Sequence, residues 1–517
     1  MFRYTLYPVL LVLALSACKQ PTSTPANAAE SSNLAQATQA VPSTCSGSYP
    51  SYFQDPAFSN TGMWTNQVTI NQPTPNWTGP VFQLSDAYGT AVPESEYPWL
   101  KFNPFDPSLS QQQKLEQAEQ YLWAVMDYMQ EGNINNGDIA NDWSLCNNPV
   151  RQWFHIPYQT YDPLSGREFV HGLTREAPVT MTLNEDQHLK TTMWAVGFYN
   201  PAAAQSISTV WTGAPEPKMP QENFQFNEGS VIGKLLFTTA NPNQYPFLTN
   251  VPVWRANISA PEYCSCKSST GGQCTFKEQT EQCPRTVGDV YLLQFDIAVR
   301  DERSPVGWAY GTFVADGQRK AAEVNPWNRI SPLGLMWGND TPPVGTGAAY
   351  YPEDPRTDMK DGVVFFDVAD MLNVYTNAGH LGCNSRLNGP ADNAQSSCLS
   401  CHQTASVPDQ DNDTPAIMYQ FGGFGNSNGQ CMTEPDPLDL AIDQVYFASF
   451  ACSTSFTGPA EIVPPPQYAS GQKDWISTDF SLQLSISLTQ WQEWAADQKN
   501  LEKRVFDGVL PDRGGVE

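Results

Sequence analysis

The sequence predicts an α+β fold, with a mostly antiparallel sheet core, peripheral helices and a loop-rich C-terminal region. Three observations favour this class. Several segments alternate apolar and polar residues, one long segment has apolar residues at helical spacing, and the 517 residues include 43 prolines and 35 glycines. So many prolines and glycines favour short strands and long loops over a helical bundle.

The clearest strand is VYLLQFDIAVRD, residues 290–301. The residues of one face are Tyr291, Leu293, Phe295, Ile297 and Val299, and those of the other are Leu292, Gln294, Asp296 and Arg300. This period of two predicts a strand with one buried face. Residues 307–317 are its expected partner, joined through the turn-like segment DERSPVG, and residues 192–200 and 229–240 are further candidates. Together they predict an antiparallel sheet across residues 179–314.

Two helices are expected. In residues 110–131 the apolar side chains recur at intervals of three and four, and Gly132 provides a stop. These apolar residues are Leu115, Ala118, Leu122, Val125 and Met129. A second helix is predicted for residues 488–503.

The N-terminus has the features of an export signal. Arg3 precedes an apolar run, residues 6–15, which is too short to cross a bilayer and ends in small residues. The tetrapeptide LSAC resembles the lipobox of bacterial lipoproteins, which implies that residues 1–17 are removed and that Cys18 carries the lipid. An ordinary secretory signal is the alternative. Because Lys19 follows the cysteine, the resemblance implies the outer membrane, on its periplasmic or outer face.

The rest of the chain divides by composition. Residues 18–44 are small and polar and predict a flexible tether. We expect a β-rich domain with an N-terminal helix over 45–330, a loop-rich region over 331–460 and a helical segment over 461–517. The formal net charge of −26 makes nucleic acid an improbable partner. With no later apolar stretch long enough to span a bilayer, contact with the membrane is expected through the lipid anchor only.

Twelve cysteines are many for one chain, and in an exported protein most are expected to be oxidised or ligated. Cys264, Cys266, Cys274 and Cys283 crowd into one segment. Their spacing lacks paired C-x-x-C units, so a local disulfide staple is favoured over a zinc site. Five scattered cysteines are candidates for longer bridges: Cys45, Cys146, Cys383, Cys431 and Cys452.

The pentad CLSCH, residues 398–402, is the most informative motif. C-x-x-C-H is the attachment sequence of c-type haem. Two thiols three residues apart on a helical turn face the same way and can add to the two vinyl groups of one porphyrin. The adjacent histidine then ligates the iron. We therefore expect one covalent haem c, bound through Cys398 and Cys401 with His402 as axial ligand. The alternatives are a thiol redox pair and a plain disulfide.

The sequence offers three candidates for the sixth iron ligand. They are Met418, Met432 and His380, and Met418 is the one we select. The Pro- and Asp-rich segment after the pentad is not that of a small helical cytochrome, so a core or loop residue is the favoured interpretation of Met418, ahead of an iron ligand. A vacant sixth position is the other possibility, and it would allow the iron to bind small molecules.

Four segments carry a resemblance. GREFVHGLTREAPV, TMWAVGFYN, GLMWGND and SRLNGPADNAQSSCLSCHQTA resemble a group of poorly characterised bacterial proteins with an export signal and one c-type haem motif. The resemblance covers residues 153–405 and implies a monohaem cytochrome lipoprotein.

A weaker resemblance is to the sheet-based cytochromes c-prime-beta, through GSVIGKLLF, GWAYGTFV and CLSCH in that order. In some of those proteins a lysine is cross-linked to the porphyrin, and Lys234 is the matching position. The chain departs from their pattern by long insertions and by lacking the acidic residue expected soon after the lysine. An edge-strand lysine is the alternative interpretation of Lys234.

Three more side chains have two interpretations each. His171 is a candidate distal or acid–base group, and His155 is similar, but a hydrogen-bonded structural histidine is the simpler interpretation of both. Arg386 either pairs with a haem propionate or is exposed.

Two functions follow from the motif. The first is single-electron transfer to or from an exported redox partner protein. The second is a haem enzyme or small-ligand binding protein, acting on peroxide, nitric oxide or a hydroxylamine-type compound at an open iron site.

Overall fold

The computed structural model describes most of the chain from residue 87 onward. The described residues are 87–134, 138–140, 142–143, 145, 148–157, 173–184, 187–212, 216–221, 223–259, 285–319, 325–340, 355–376, 381–382, 385–392, 397–403, 405–408, 475–489 and 491–492. Their main feature is one large antiparallel sheet with helices against it. The predicted α+β class with a mostly antiparallel sheet core is confirmed.

Eight strands form this sheet: β1 (Thr174–Asn184), β2 (Gln187–Tyr199), β3 (Val231–Thr238), β4 (Val253–Ser259), β5 (Arg285–Arg300), β6 (Trp308–Ala315), β7 (Ile330–Met336) and β8 (Gly362–Val364). The order is β1-β2-β3-β5-β6-β7-β8, and β4 also pairs with β5. Strand β4 pairs with the first part of β5 and β3 pairs with the rest, and both reach Tyr291. A small second sheet pairs β9 (Ser406–Pro408) with β10 (Trp475–Ser477).

Five helices are bounded within the described residues: α1 (Gln111–Gln130), α2 (Pro201–Ile207), α3 (Pro355–Asp358), α4 (Phe366–Thr376) and α5 (Cys398–His402). A further helical segment covers residues 482–489 and 491–492. It begins before the helix predicted for 488–503, and the rest of that prediction lies outside the described residues.

The predicted helix over 110–131 is confirmed as α1. Ser110 caps its N-terminus in a capping box with Gln113. At the C-terminus the chain turns through Gly132, whose φ of 75° is in the left-handed region that glycine adopts most easily. The apolar stripe of α1 packs on one face of the sheet, where a Cβ on Gly311 would lie 2.3 Å from Leu122. A side chain at position 311 would therefore force the Leu122 side chain, or α1 with it, to move.

The four predicted strands are all present, within β2, β3, β5 and β6. The expectation of one buried face for β5 was wrong, because both faces of the sheet are covered. A register shift between Leu236 and Phe237 of β3 lies opposite Leu293. Such an irregularity reverses the alternation, so Leu292 joins Phe295 under α1, whereas Leu293 lies on the opposite face.

The sheet also extends beyond the predicted residues 179–314. It begins earlier, at Thr174 of β1, and continues through β7, which starts at Ile330, and β8. The face of the sheet opposite α1 holds α2, α4 and the CLSCH pentad in one continuous apolar cluster. This face positions the candidate site.

Candidate functional site

The pentad forms α5, a helix of five residues. Ser397 caps it, with its hydroxyl accepting from the Ser400 backbone N–H at 3.2 Å, and the Ser400 hydroxyl accepts from the Ser397 N–H at 2.9 Å. Residues three apart share one face of a helix, so Cys398 and Cys401 lie on the same side. Neither forms a disulfide.

Helix α5 is fixed to the sheet through its first two residues. The Cys398 N–H donates to the Leu387 carbonyl at 3.0 Å, and the Leu399 N–H lies 3.4 Å from the sulfur of Met336 on β7. The Leu399 side chain is fully buried in the cluster on this face. Cys398 therefore packs against the core on this face of the sheet.

A buried polar network fixes the N-terminus of α5. The Arg386 Nε donates to the Asn339 carbonyl at 2.8 Å. The Asn339 side chain accepts from the Ser397 hydroxyl at 2.8 Å and donates to Gln403 at 3.2 Å. Arg386 is only 2% exposed, so the interpretation of this residue as exposed was wrong. A propionate partner for Arg386 stays a prediction.

The His402 ring is held by a main-chain carbonyl. Its Nδ1 lies 2.9 Å from the Phe480 carbonyl oxygen, and because a carbonyl only accepts, Nδ1 carries the proton. The lone pair of the neutral ring is then on Nε2, as in most metal-bound histidines. Burial lowers the pKa of His402 to about 4, against the Phe480 hydrogen bond, which raises it. The ring is therefore neutral at neutral pH, the form that binds metals.

The Phe480 carbonyl is aimed at His402 by an unusual backbone. Asp479 and Phe480 have φ values of 49° and 64°, in the left-handed region that bulky residues rarely adopt. Buried contacts hold this turn. The Asp479 carboxylate accepts from the Phe226 N–H at 2.7 Å and lies 3.7 Å from Arg300. Contacts with the sheet and its connections thus hold the 479–480 backbone in the conformation that provides a hydrogen-bond acceptor for His402 Nδ1.

Polar side chains cross the sheet beneath α5. In register, Lys234 of β3 faces Asp296 of β5, which faces Thr312 of β6. The Thr312 hydroxyl is 2.9 Å from the Asp296 carboxylate and 3.8 Å from the Cys398 sulfur. The row therefore ends at a thiol of the pentad.

Gln294 connects this row to the segment before the pentad. Its Oε1 accepts from the Ala391 N–H at 3.0 Å, so its Nε2 faces the two carboxylates and donates to Asp296 and Asp392 at 2.8 Å. Gly389 permits the approach, since a Cβ there would lie 2.1 Å from Gln294 Oε1.

The electrostatics disfavour a thiol redox pair. Burial raises the pKa of the Cys398 thiol well above its usual value, and the charges of Asp392 and Asp296 raise it further. A redox-active thiol needs the opposite shift, because the thiolate is the nucleophile. The antiparallel sheet also differs from a thioredoxin-like βαβ unit.

Lys234 lies in the interior of the sheet. Strand β3 is between β2 and β5, so the interpretation of Lys234 as an edge-strand lysine was wrong. Its positive charge lowers the pKa of Asp296 and of His402. The amine is therefore electrostatically coupled to both groups. By contrast, His155 is buried near β2, with Nδ1 3.0 Å from the Gly197 carbonyl oxygen, as the structural interpretation expected.

The other predicted site residues lie outside the described residues. These are Cys18, Met418, Met432, His171, His380, the cysteines of the 264–283 segment and the five scattered cysteines. The predictions for them stay predictions.

Sequence reasoning missed Asp296, Gln294, Thr312, Tyr310 and Phe480 as members of the site. A signal existed for the first two, because a carboxylate and an amide in the middle of an apolar strand need buried partners. The sequence carries no such signal for Phe480, which contributes only a backbone carbonyl.

No known protein family, curated protein or solved structure matches this chain. In the described part of the chain, no helix is long and apolar enough to cross a bilayer. Within the same residues, no three His, Cys, Asp or Glu side chains are arranged as a site for a bare metal ion.

Proposed function

We propose that the protein is an exported, lipid-anchored c-type cytochrome with one covalent haem and that it transfers single electrons. The observation that carries the proposal is the arrangement of α5. Two cysteines, neither in a disulfide, lie three residues apart beside a histidine whose Nδ1 donates to a backbone carbonyl. That combination provides two attachment points and a neutral imidazole with a free lone pair on Nε2.

The residues present fit a haem group. Cys398 and Cys401 would hold the porphyrin through thioether bonds, and His402 would ligate the iron. Bound haem supplies a one-electron Fe(III)/Fe(II) couple. The protein's part is to fix the imidazole: the Phe480 carbonyl sets its tautomer, and the Tyr310 ring packs against it with 4.4 Å between centroids.

The proposed location follows from the N-terminus. Export is required because covalent haem attachment in bacteria occurs outside the cytoplasm, and Cys18 is the proposed lipid anchor at the outer membrane. The electron donor or acceptor is then an exported redox protein that approaches a tethered cytochrome.

A second candidate function is a haem enzyme or small-ligand binding protein with an open iron position. The observation that favours it is the Lys234–Asp296–Thr312 row, which places ionisable groups beside the pentad. This placement agrees with the resemblance to cytochromes c-prime-beta. A simple electron carrier has no need of such groups.

Mass analysis tests the haem proposal. Protein purified from a host with c-type cytochrome maturation should carry the added mass of one haem, and the C398A/C401A variant should carry none. An unmodified wild-type chain from the same host would overturn the proposal. The same spectra should show diacylglyceryl on Cys18 and its loss in C18A.

Carbon monoxide separates the two functions. A six-coordinate electron carrier should leave the ferrous absorption spectrum unchanged on addition of the gas. Rapid formation of a carbonmonoxy spectrum would favour the open-site candidate.

A further inference from the structure

We propose that the Asp296 carboxyl is a proton-binding site that takes up a proton when the haem iron is reduced and releases it on oxidation. The inference rests on the proposed haem and adds a second role, the coupling of electron transfer to proton transfer. It would hold for either candidate function.

Asp296 is built into the sheet beside the attachment point. Its carboxylate accepts from Gln294 Nε2 at 2.8 Å and from the Thr312 hydroxyl at 2.9 Å, and that hydroxyl also contacts the Cys398 sulfur. Thr312 therefore lies directly between the carboxyl and the proposed thioether. Because Asp296 lies on the sheet beneath the pentad, its carboxyl would be sensitive to the charge of an iron held there.

The groups that face Asp296 come from three strands, from α5 and from the segment before α5. Strand β5 contributes neutral Gln294 and β6 contributes neutral Thr312. The charged neighbours are Lys234 from β3 and Asp392 from the segment before α5, while α5 itself contributes Cys398. Lys234 can balance only one of the two carboxylates, Asp296 and Asp392, so protonation of Asp296 is favoured.

The electrostatics support this balance. Burial and the charge of Asp392 together raise the pKa of Asp296 to about 8, against the opposing effects of Lys234 and the two hydrogen bonds. A group that titrates near neutral pH can change its protonation in response to a nearby charge.

The coupled step balances as follows. A haem held by Cys398, Cys401 and His402 would supply a one-electron couple, and one electron from the exported donor would lower the charge of the site by one. The Asp296 carboxylate then takes one proton from solvent and becomes the neutral acid, so the net charge of the site is restored. By linkage, Asp296 binds its proton more tightly in the ferrous than in the ferric protein, by roughly threefold or more.

Redox titration of the holoprotein tests the inference. The wild-type midpoint potential should fall by a total of about 30 mV or more as the pH rises from 7 to 9, which is the threefold change in proton affinity converted at about 59 mV per tenfold. In D296N the slope over this range should disappear. D289N is the matched control, because Asp289 lies on the same strand and is exposed, and it should keep the wild-type slope.

Two further measurements keep the test decisive. Reduced-minus-oxidised infrared spectra should show a protonated carboxyl band that is absent in D296N. T312V, which lacks the hydrogen bond that favours the ionised form, should move the sloping region to higher pH. A flat wild-type potential, or an unchanged slope in D296N, would overturn the inference while the haem mass still supports the proposed function.

Discussion

The rings of Tyr310 and His402 pack with 4.4 Å between their centroids, and both side chains hydrogen-bond to the Phe480 carbonyl. The tyrosine hydroxyl donates at 3.1 Å and the His402 Nδ1–H at 2.9 Å. The two donors therefore share one acceptor. The strength of the bond to His402 depends on how much of that acceptor Tyr310 takes.

Replacing Tyr310 by Phe should strengthen the remaining His402 bond, because the carbonyl then has one fewer donor. A more strongly bonded imidazole donates more electron density to the iron and favours Fe(III). We expect Y310F to keep its haem and to have a lower midpoint potential. Its free energy of unfolding should fall by about 1 kcal/mol. Redox titration and urea unfolding measure the two effects, and a raised potential would contradict the shared-acceptor account.

Ser397 is the N-cap of α5 and a member of the Asn339 network. S397A should lose about 1–2 kcal/mol of unfolding free energy and a large part of the attached haem, because α5 would no longer hold its thiols in place. The matched control is S110A, which removes the N-cap of α1. It should cost similar stability with no change in haem per chain. Equal haem content in the two variants would show that the cap of α5 does not orient the pentad.

Gly389 lies against Gln294, where a methyl group has no space. G389A should destabilise the protein by about 1–3 kcal/mol, because the added carbon forces Gln294 or the segment before the pentad to move. The control is G288A on β5, where nothing lies within 4 Å of the new carbon. Urea unfolding of both variants should show a loss for position 389 alone. If G389A is as stable as wild type, the packing of this segment on Gln294 is looser than described.

Asp340 gives a prediction about pH. Burial raises the pKa of its carboxyl from 3.8 to about 6, and the charge of Asp361 adds to the shift. The folded protein therefore binds this proton more tightly than the unfolded chain. The resulting stability is present below pH 4 and is lost as the pH rises through 6.

D340N should remove this pH dependence. Relative to D340N, wild-type protein should lose about 1–2 kcal/mol of unfolding free energy between pH 4 and pH 7.5. D367N, at an exposed position on α4, is the control and should follow the wild-type curve. Parallel curves for D340N and wild type would mean that Asp340 titrates alike in the folded and unfolded chains.

Much of the sheet was predictable because its signals are local. The alternation in residues 290–301 and the spacing in 110–131 are properties of consecutive residues, and both appear as β5 and α1. The reversal at Leu293 was not predictable in this way, because a register shift depends on the neighbouring strand.

The pentad was found for the same local reason, whereas its surroundings were not. Lys234, Asp296 and Thr312 lie far apart in sequence and meet only through the strand register. The role of Phe480 cannot be recognised from its residue type, because every residue has a backbone carbonyl. Only the tertiary structure brings it to His402.

The partner of His402 comes late in the chain, since Phe480 is 78 residues beyond the histidine. With the proposed export from the N-terminus, CLSCH would emerge before the segment that supplies this carbonyl. The attachment machinery would therefore meet two accessible thiols and an imidazole that is not yet restrained. Packing of residues 475–489 against the pentad would then be the last step of maturation. A chain that ends before position 475 would lack the acceptor for His402 even with the haem attached.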